Sequence, residues 1–347
     1  MAYSSIVKPS VYFNTKLISG NGGTQSLTGV GFKPDFTWIK SRSRVDPHSL
    51  TDIVRGVASQ LDSSLTSAPT THSDAITSFN SDGFSLGSQA DVNRSGTTFA
   101  SWNWLAGGSQ GSSNTDGSIN TTYTSVNTTA GFSICKWTGN ATNSTIGHGL
   151  GAVPKMIIIK RLTGGTTQWV VYHVSTGNTQ ACYLNTTSAP TDVIGFFNDT
   201  TPTSSVFTVG TDTAVNGSGN EMIAYCFAEK TGYSKFGSYV GNGNADAPFV
   251  YTGFKPAFVM FKKSSASGHW MMNDNKRSAS GGFNVLGERL KANETDAGAT
   301  AVYVDFLSNG FKLRTTSSSW NENNETFIFM AFAEEPLVAN SGTNGVP

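Results

Sequence analysis

Residues 31–40 read Gly-Phe-Lys-Pro-Asp-Phe-Thr-Trp-Ile-Lys, and the same pattern returns twice further along the chain. Residues 151–160 read Gly-Ala-Val-Pro-Lys-Met-Ile-Ile-Ile-Lys, and residues 253–262 read Gly-Phe-Lys-Pro-Ala-Phe-Val-Met-Phe-Lys. Each stretch is Gly-x-x-Pro followed by strand-forming residues that end on lysine. Proline is tolerated at the first position of a strand but not in its middle. Each stretch therefore predicts a strand that starts near its proline.

The repetition extends on both sides of these strands. A strand that ends in a Gly-Asn turn precedes each one, at residues 17–21, 136–140 and 239–242. A closing strand rich in aromatic residues follows each one, at residues 99–106, 222–229 and 327–334. A Phe-x-Ser-Asp/Asn-Gly-Phe-x-Leu element lies between them at 79–86 and 306–313, with a fainter version at 206–209. Four landmarks in one order, three times over, predict a tandem triplication.

This spacing predicts three β-sandwich repeats of about 100 residues, joined and ended by two flexible segments. The predicted ranges are 1–107 for the first copy, 108–129 for a Gly/Ser/Thr/Asn linker, 130–232 for the second copy, 233–337 for the third copy and 338–347 for a tail. A comparable linker is missing between the second and third copies. We therefore expect those two to pack closely and the first copy to sit on a looser tether.

The composition predicts an all-β fold of the jelly-roll or lectin-like sandwich type. Short strand-like runs recur between turn signals throughout each copy. Only residues 51–61 and 283–291 have patterns that would allow a short helix. In residues 35–39 the alternation of side chains predicts one face in a core and the other exposed or paired.

The charge balance and the cysteines exclude several classes of protein. The formal net charge is zero with 23 basic and 23 acidic residues, which argues against a nucleic-acid partner. No apolar stretch approaches the length of a membrane span, and the N-terminus has no signal-peptide pattern. Cys135, Cys182 and Cys226 have no metal-binding spacing and are predicted to be reduced core residues. We expect neither a metal nor a cofactor.

Catalysis is not expected either. The sequence has no phosphate-binding loop, no Gly-x-Ser-x-Gly and no His-Glu-x-x-His motif. The five histidines are scattered singly, and no acidic residue recurs in all three copies. Turns rich in Asp and Asn, at 198–199, 242–246 and 321–325, could hold Ca²⁺, but ordinary turn chemistry explains them better.

One polar constellation recurs in part, downstream of each repeated strand. Its members combine aromatic or imidazole rings with charged partners: His48, Asp52 and Arg55; Trp169 and His173; Trp270, Asp274 and Arg277. Such a set suits a sugar-binding cleft, where a ring stacks on the sugar and charged groups bind its hydroxyls. The alternative is a strand end tied to its neighbour by an Asp–Arg bridge, with the ring in the core.

These repeated elements resemble three-repeat virion or tail-fibre-like proteins of marine bacteriophages. The resemblance rests on Gly-Phe-x-Pro-Asp-x-x-Trp-Ile-Lys, on Phe-x-Ser-Asp-Gly-Phe-x-Leu-Gly, on the Trp-Asn-Trp of residues 102–104 and on residues 225–239, and it covers nearly all of residues 1–337. The second copy departs most, with Gly-Ala-Val-Pro for Gly-Phe-x-Pro. The family offers no catalytic residues to transfer to this chain.

The resemblance implies a virion protein on the outside of the particle. The leading expectation is a tail-fibre or adhesin role, with binding to host-surface polysaccharide and without catalysis. A capsid decoration protein (a cement or head-fibre protein) is the alternative, and a tailspike depolymerase is the third class. Expected partners are other virion proteins of the tail or capsid, with no nucleic acid and no membrane insertion. A homo-oligomer is compatible with either structural role.

Overall fold

The computed structural model describes residues 4–277 and 285–337, and it is all-β with a few single-turn helices. The predicted fold class is therefore confirmed. A short 3-10 helix, Pro9–Val11, opens the first copy. The elements that follow are β1 (Phe13–Ser19), β2 (Gln25–Thr28), β3 (Phe36–Ser41), β4 (Ser49–Asp52), β5 (Ser59–Gln60), β6 (Thr70–Thr71), β7 (Ile76–Asn80), β8 (Gly83–Leu86), α1 (Ala90–Asn93) and β9 (Thr98–Trp104).

The second copy follows the same plan and gains one strand from the predicted linker. Its elements are β10 (Tyr123–Asn127), β11 (Phe132–Thr138), β12 (Ser144–Gly147), β13 (Pro154–Arg161), β14 (Val170–His173), β15 (Gln180–Tyr183), β16 (Thr191–Asp192), α2 (Ile194–Phe197), β17 (Val206–Val209), α3 (Thr213–Asn216) and β18 (Glu221–Ala228).

The third copy has the longest strands. Its elements are β19 (Ser234–Val240), β20 (Phe249–Tyr251), β21 (Phe254–Lys263), β22 (Met271–Asp274), β23 (Val285–Lys291), β24 (Ala299–Leu307), β25 (Gly310–Leu313), α4 (Ser318–Asn321) and β26 (Thr326–Pro336).

All three copies contain the same four-stranded antiparallel arrangement. The orders are β1-β9-β3-β4 in the first copy, β11-β18-β13-β14 in the second and β19-β26-β21-β22 in the third. The closing strand of each copy lies beside the strand that starts at the repeated proline. A second layer covers one face of each sheet and contains β2-β8-β7, β12-β17 and β20-β25-β24 respectively. Each copy thus has two layers of strands around a core of its own.

The other face of each four-stranded sheet packs against the other two copies. Side chains alternate along the proline-initiated strand: Phe36 and Trp38 of β3 enter a core shared by all three copies, whereas Ile39 enters the core of its own sandwich. In β13, Ile158 and Ile159 divide in the same way. All six residues of β3 are buried. Of the two alternatives for the second face, exposed or paired, the structure shows the paired one, because a shared core covers that face.

Aromatic rings hold this shared core together. Phe13 of the first copy stacks on Phe332 of the third, with ring centroids 5.0 Å apart. Phe36 of the first copy stacks on Tyr225 of the second at 4.5 Å, and Phe227 of the second meets Phe332 of the third at 6.0 Å. Ring pairs of this kind contribute about 0.5–1.5 kcal/mol beyond their buried area. The first copy is therefore as firmly packed as the other two, and the looser tether expected for it is wrong.

Three local expectations also need correction. The segment 108–129 is not only a linker, since its last part forms β10, which pairs along the edge of β11. Residues 51–61 form no helix, because β4 is followed there by a turn and β5. Residues 285–291 form strand β23 rather than a helix; residues 283–284 and the predicted tail, 338–347, lie outside the described residues.

Candidate functional site

The ring position of the recurring constellation lies at the seams between copies. Each of its three side chains is buried and directs a ring nitrogen at a backbone carbonyl of another copy. The contacts join Trp169 Nε1 to Asp62 O (2.9 Å), Trp270 Nε1 to Tyr183 O (2.9 Å) and His48 Nε2 to Lys291 O (3.0 Å). The second copy thus reaches the first, the third reaches the second, and the first reaches the third. The contacts close into a ring.

The acid position closes a second ring of contacts, in the opposite sense. Asp52 of the first copy accepts a hydrogen bond from the Tyr225 hydroxyl of the second at 2.8 Å. Asp274 of the third copy accepts one from Trp102 Nε1 of the first at 3.0 Å. His173 takes this position in the second copy and lies 3.0 Å from the backbone carbonyl of Phe329 in the third. Every copy therefore contributes to both of its neighbours.

The side chain that faces the acid position from the neighbouring copy explains why the second copy has a histidine there. Trp102, Tyr225 and Met330 occupy equivalent positions, because each is paired with the residue four positions after the repeated proline of its copy. Tyrosine and tryptophan each supply a hydrogen for the facing aspartate, but methionine has none to give. A carboxylate facing Met330 would be buried without this donor, at a large desolvation cost. His173 instead donates from Nε2 to the backbone carbonyl of Phe329, an acceptor that does not depend on the side chain at that position.

Two arginines hold the aspartates in place. The Nε atoms of Arg55 and Arg277 lie 2.5 Å from Asp52 Oδ2 and Asp274 Oδ2 respectively. The Arg55 guanidinium also donates to the Ser59 carbonyl, and Arg277 donates to the Met272 carbonyl. Both guanidinium groups are buried, and the Asp52 carboxylate raises the pKa of Arg55 against the lowering effect of burial. Each copy with an aspartate therefore has a closed ion pair.

The buried histidines are neutral and have a defined tautomer. His48 Nδ1 accepts from Trp38 Nε1, and His173 Nδ1 accepts from the Ser175 amide, so the proton is on Nε2 in both rings. Burial lowers the pKa of His48 to about 3 and that of His173 to about 4. Neither ring is poised for acid–base exchange near neutral pH.

The lysines that end the repeated strands are also buried against carbonyl groups. Lys160 Nζ donates to Thr66 O of the first copy at 2.8 Å, and Lys262 Nζ donates to Thr187 O of the second at 3.3 Å. Lys40 bonds within its own copy, to Ser41 O. Burial lowers the pKa of each of these three lysines to about 8. In the second and third copies this lysine is therefore a further tie to a neighbouring copy.

The geometry favours the packing interpretation of the constellation over a sugar-binding cleft. The structure places all eight predicted ligand residues at the seams, where their side chains are buried: His48, Asp52, Arg55, Trp169, His173, Trp270, Asp274 and Arg277. Arg55 also borders an opening between the first and second copies, although its side chain is only 2% exposed. A sugar could stack on the buried rings only if two copies separated. Ligand binding at these residues stays an untested prediction.

The three cysteines, which are the other candidates for chemistry, are also buried. Cys135, Cys182 and Cys226 are free and buried, and burial raises the pKa of Cys182 to about 12, so it stays a thiol. Within residues 4–277 and 285–337, no three His, Cys, Asp or Glu side chains come together in a way that could hold a metal ion. No helix in the same described ranges is long and apolar enough to cross a membrane.

Comparison with protein families gives a match that spans the three copies together. Residues 8–336 match the model of a family described as Domain of unknown function (DUF7483). The chain belongs to this family. A comparison with curated proteins finds no match. The family model begins before β1 and ends with β26, so it covers the shared core as well as each sandwich.

Three buried asparagines with structural importance escaped the sequence analysis. Asn93, Asn216 and Asn321 end the helices α1, α3 and α4, each five residues before the first residue of its closing strand. In each case Oδ1 accepts from the backbone amide of the Gly-Asn turn, and Nδ2 donates back to carbonyls of the surrounding loops. The constant offset from the closing strand was the available signal. It was overlooked because the surrounding sequence is full of asparagine.

Removing one of these asparagines is expected to destabilise its copy. Asn216→Ala would leave the Asn140 amide and the Thr142 and Gly210 carbonyls without their partner. Buried groups left unsatisfied predict a loss of about 2–4 kcal/mol. Asn143→Ala, at an exposed position in the same turn, is the matched control and should change stability by less than about 0.5 kcal/mol. Equal losses in urea denaturation would contradict the role assigned to Asn216.

Acid should weaken the fold through the buried histidines. In the unfolded chain His48 and His173 take up protons near pH 6.5, whereas their pKa values in the folded protein are about 3 and 4 respectively. Their contribution is therefore complete above pH 6.5 and is lost as the pH falls towards 4, by at most about 1.4 kcal/mol per pH unit for each ring. Asp35, with a pKa raised to about 6 by burial, opposes this trend.

A histidine variant separates these effects. His173→Gln keeps the polar contacts but cannot titrate, so its unfolding free energy should depend less steeply on pH between 6.5 and 4.5. The expected difference in slope from the parent chain is about 1.4 kcal/mol per pH unit. Asp35 is present in both proteins and cancels. Parallel slopes in denaturant titrations would show that His173 is protonated in the folded protein.

Proposed function

We propose that this protein is a structural component of the exterior of a bacteriophage particle, acting by surface contacts and without catalysis. The observation that carries the proposal is the use of the recurring polar side chains: they tie three sandwiches into one closed body, as in the contacts of Asp52 and Asp274. A rigid body of this kind suits a particle exposed to the medium. The repeated sequence elements support the same role through their resemblance to phage virion proteins.

The closed ring favours a decoration role on the head over a glycan-binding fibre. Three similar sandwiches around one core give a single chain an approximate threefold character. A threefold or pseudo-threefold position on a capsid would meet three similar surfaces of such a protein. For the fibre or adhesin role, the residues first expected to bind sugar are buried, so a glycan would need another surface.

The seams between copies offer small openings for such a ligand. Cavities of about 310 and 240 Å³ lie where the first copy meets the third and the second, and one of about 200 Å³ lies where the second meets the third. Their linings include ion-paired lysine and glutamate side chains such as Lys136 and Glu221. They would fit a few sugar hydroxyls but present few apolar faces for stacking.

Particle localisation tests the proposal directly. Purified virions labelled with antibody against this chain should carry gold at regular positions on the head. Gold on the tail would replace the decoration role by the fibre role, and virions without the chain would contradict both. Binding of the purified protein to host cells or their polysaccharide would support an adhesin. Release of reducing sugar ends would instead identify a depolymerase.

A further inference from the structure

Strand β10 shows what the edge of each four-stranded sheet can accept. It lies antiparallel along β11, and its residues pair from Tyr123 opposite Lys136 to Asn127 opposite Phe132. The amide of Thr122 adds a hydrogen bond to Lys136 O at 2.7 Å. Main-chain hydrogen bonds of this kind are how an extended segment joins a sheet edge.

In the part of the chain that the structure describes, the equivalent edge in the first copy has no such strand. Strand β1 ends its sheet in the order β1-β9-β3-β4. Gly20 N donates to Thr97 O, and Leu105 N donates to Tyr12 O, so the even-numbered residues of β1 bond to β9. The odd-numbered residues direct their amides and carbonyls away from the sheet. The amides of Thr15 and Leu17 donate to no acceptor among the described residues.

The third copy closes its own edge by a different route. Strand β19 also ends its sheet, but the outward amide of Phe236 donates to the Glu229 carboxylate at 3.2 Å. The same carboxylate pairs with Lys235 at 2.8 Å. A charged side chain on an edge is a common means of preventing strand addition. Within residues 4–277 and 285–337, one edge is covered by β10, one is blocked by Glu229, and that of β1 pairs with no further strand, with Leu17 exposed and Thr15 buried.

The first copy has a segment similar in sequence to β10, but the described residues of this segment do not pair with β1. Residues 3–6 read Tyr-Ser-Ser-Ile and residues 123–126 read Tyr-Thr-Ser-Val, each shortly before the first strand of its copy. Ile6 lies in the shared core, and Ser4 lies against Gly232 near the start of β19. The segment therefore leaves its own edge strand and seals the junction of the second and third copies.

We propose that the β1 edge binds an extended strand from another polypeptide, in the place that β10 takes on β11. The bound strand would run from Leu17 towards Phe13, antiparallel to β1. Leu17 is 37% exposed and takes the position that the charged Lys136 has in the second copy, so it favours an apolar or aromatic residue opposite it. Threonine, serine and valine suit the rest of the strand, as in β10.

The far end of the edge adds a preference for positive charge. A strand that passes Phe13 reaches the cavity of about 310 Å³ between the first and third copies. Glu334 and Glu335 line this cavity. Glu334 is paired with Lys255 and Lys276, whereas Glu335 is exposed and forms no ion pair with any described residue. A lysine or arginine just after the strand would complement this side chain.

A peptide copied from β10 tests the edge on the intact protein. A fluorescent peptide of residues 120–129 should bind saturably in anisotropy titrations, and a scrambled peptide should not. The peptide with Thr128→Lys should bind more tightly, by a margin that shrinks as salt is added. Hydrogen exchange of the complex should slow at the amides of Thr15 and Leu17. Absence of saturable binding, or slowing confined to other strands, would overturn the proposal.

Matched proline variants separate this edge from that of the third copy. Leu17→Pro removes one outward amide and leaves the β1–β9 ladder intact, so peptide affinity should fall at least about tenfold. Ser238→Pro makes the equivalent change on β19 and should leave affinity unchanged. Equal affinity in the parent and Leu17→Pro would place the peptide elsewhere. The result does not depend on where the particle carries the protein, so this proposal and the particle role can fail separately.

Discussion

Asp52→Ala is expected to lower the free energy of unfolding by about 3–5 kcal/mol. The substitution would leave the Arg55 guanidinium buried without its carboxylate and the Tyr225 hydroxyl without its acceptor. The Arg55 side chain is only 2% exposed, so water cannot replace the lost partner. Denaturant unfolding of the parent and variant chains would measure the loss.

An exposed ion pair provides the control for Asp52→Ala. Asp246 pairs with Lys312 but is 92% exposed, and Asp246→Ala should leave the free energy of unfolding close to that of the parent chain, because solvent screens the pair. Adding Arg55→Met to Asp52→Ala should recover part of the stability, because the unpaired charge is then removed. If Asp52→Ala cost no more than Asp246→Ala, the seam between the first and second copies would have to be open to water.

No copy is expected to fold by itself. A fragment of residues 1–107 would expose the shared-core face of its sheet, including Phe13, Phe36, Trp38 and Trp104. Burial of a large apolar side chain contributes about 1.5–3 kcal/mol. Loss of four to five such contributions is on the order of 10 kcal/mol, which matches the whole stability of an ordinary domain.

Fragments and the intact chain together test this expectation. The fragment of residues 1–107 should lack near-ultraviolet circular dichroism and a cooperative melting transition. Residues 1–337 should unfold in one transition, detected alike by tryptophan fluorescence and by far-ultraviolet dichroism. Separate transitions for the intact chain, or a cooperatively folded fragment, would show that the shared core contributes little and that the copies are independent domains.

The strands could be predicted from the sequence because local patterns encode them. Proline at the start of a strand, glycine and asparagine in turns, and β-branched runs ending in lysine depend only on neighbouring residues. The landmarks therefore predicted the all-β class, which the structure confirms. Strand β10 was missed because its serine and threonine residues resemble a linker, and only its pairing with β11 makes it a strand.

Packing between copies could not be predicted in the same way. Strand β3 has apolar side chains at both even-numbered and odd-numbered positions, with Phe36 and Trp38 on one face and Ile39 on the other. That pattern indicates two buried faces, but not what covers the second. The constellation around Asp52 was visible as a recurring cluster. Its role depends on Tyr225, which lies 173 positions away in the chain.

The two rings of contacts have an evolutionary consequence. In an assembly of three identical chains, one mutation alters every interface at once, so a harmful change at one is harmful at all. Joining the copies in one polypeptide removes that constraint. The tyrosine–aspartate, tryptophan–aspartate and histidine–carbonyl contacts of this protein are three solutions to one problem, at Asp52, Asp274 and His173. Because the three copies lie in one chain, each joint can use different side chains while the arrangement of the strands stays the same.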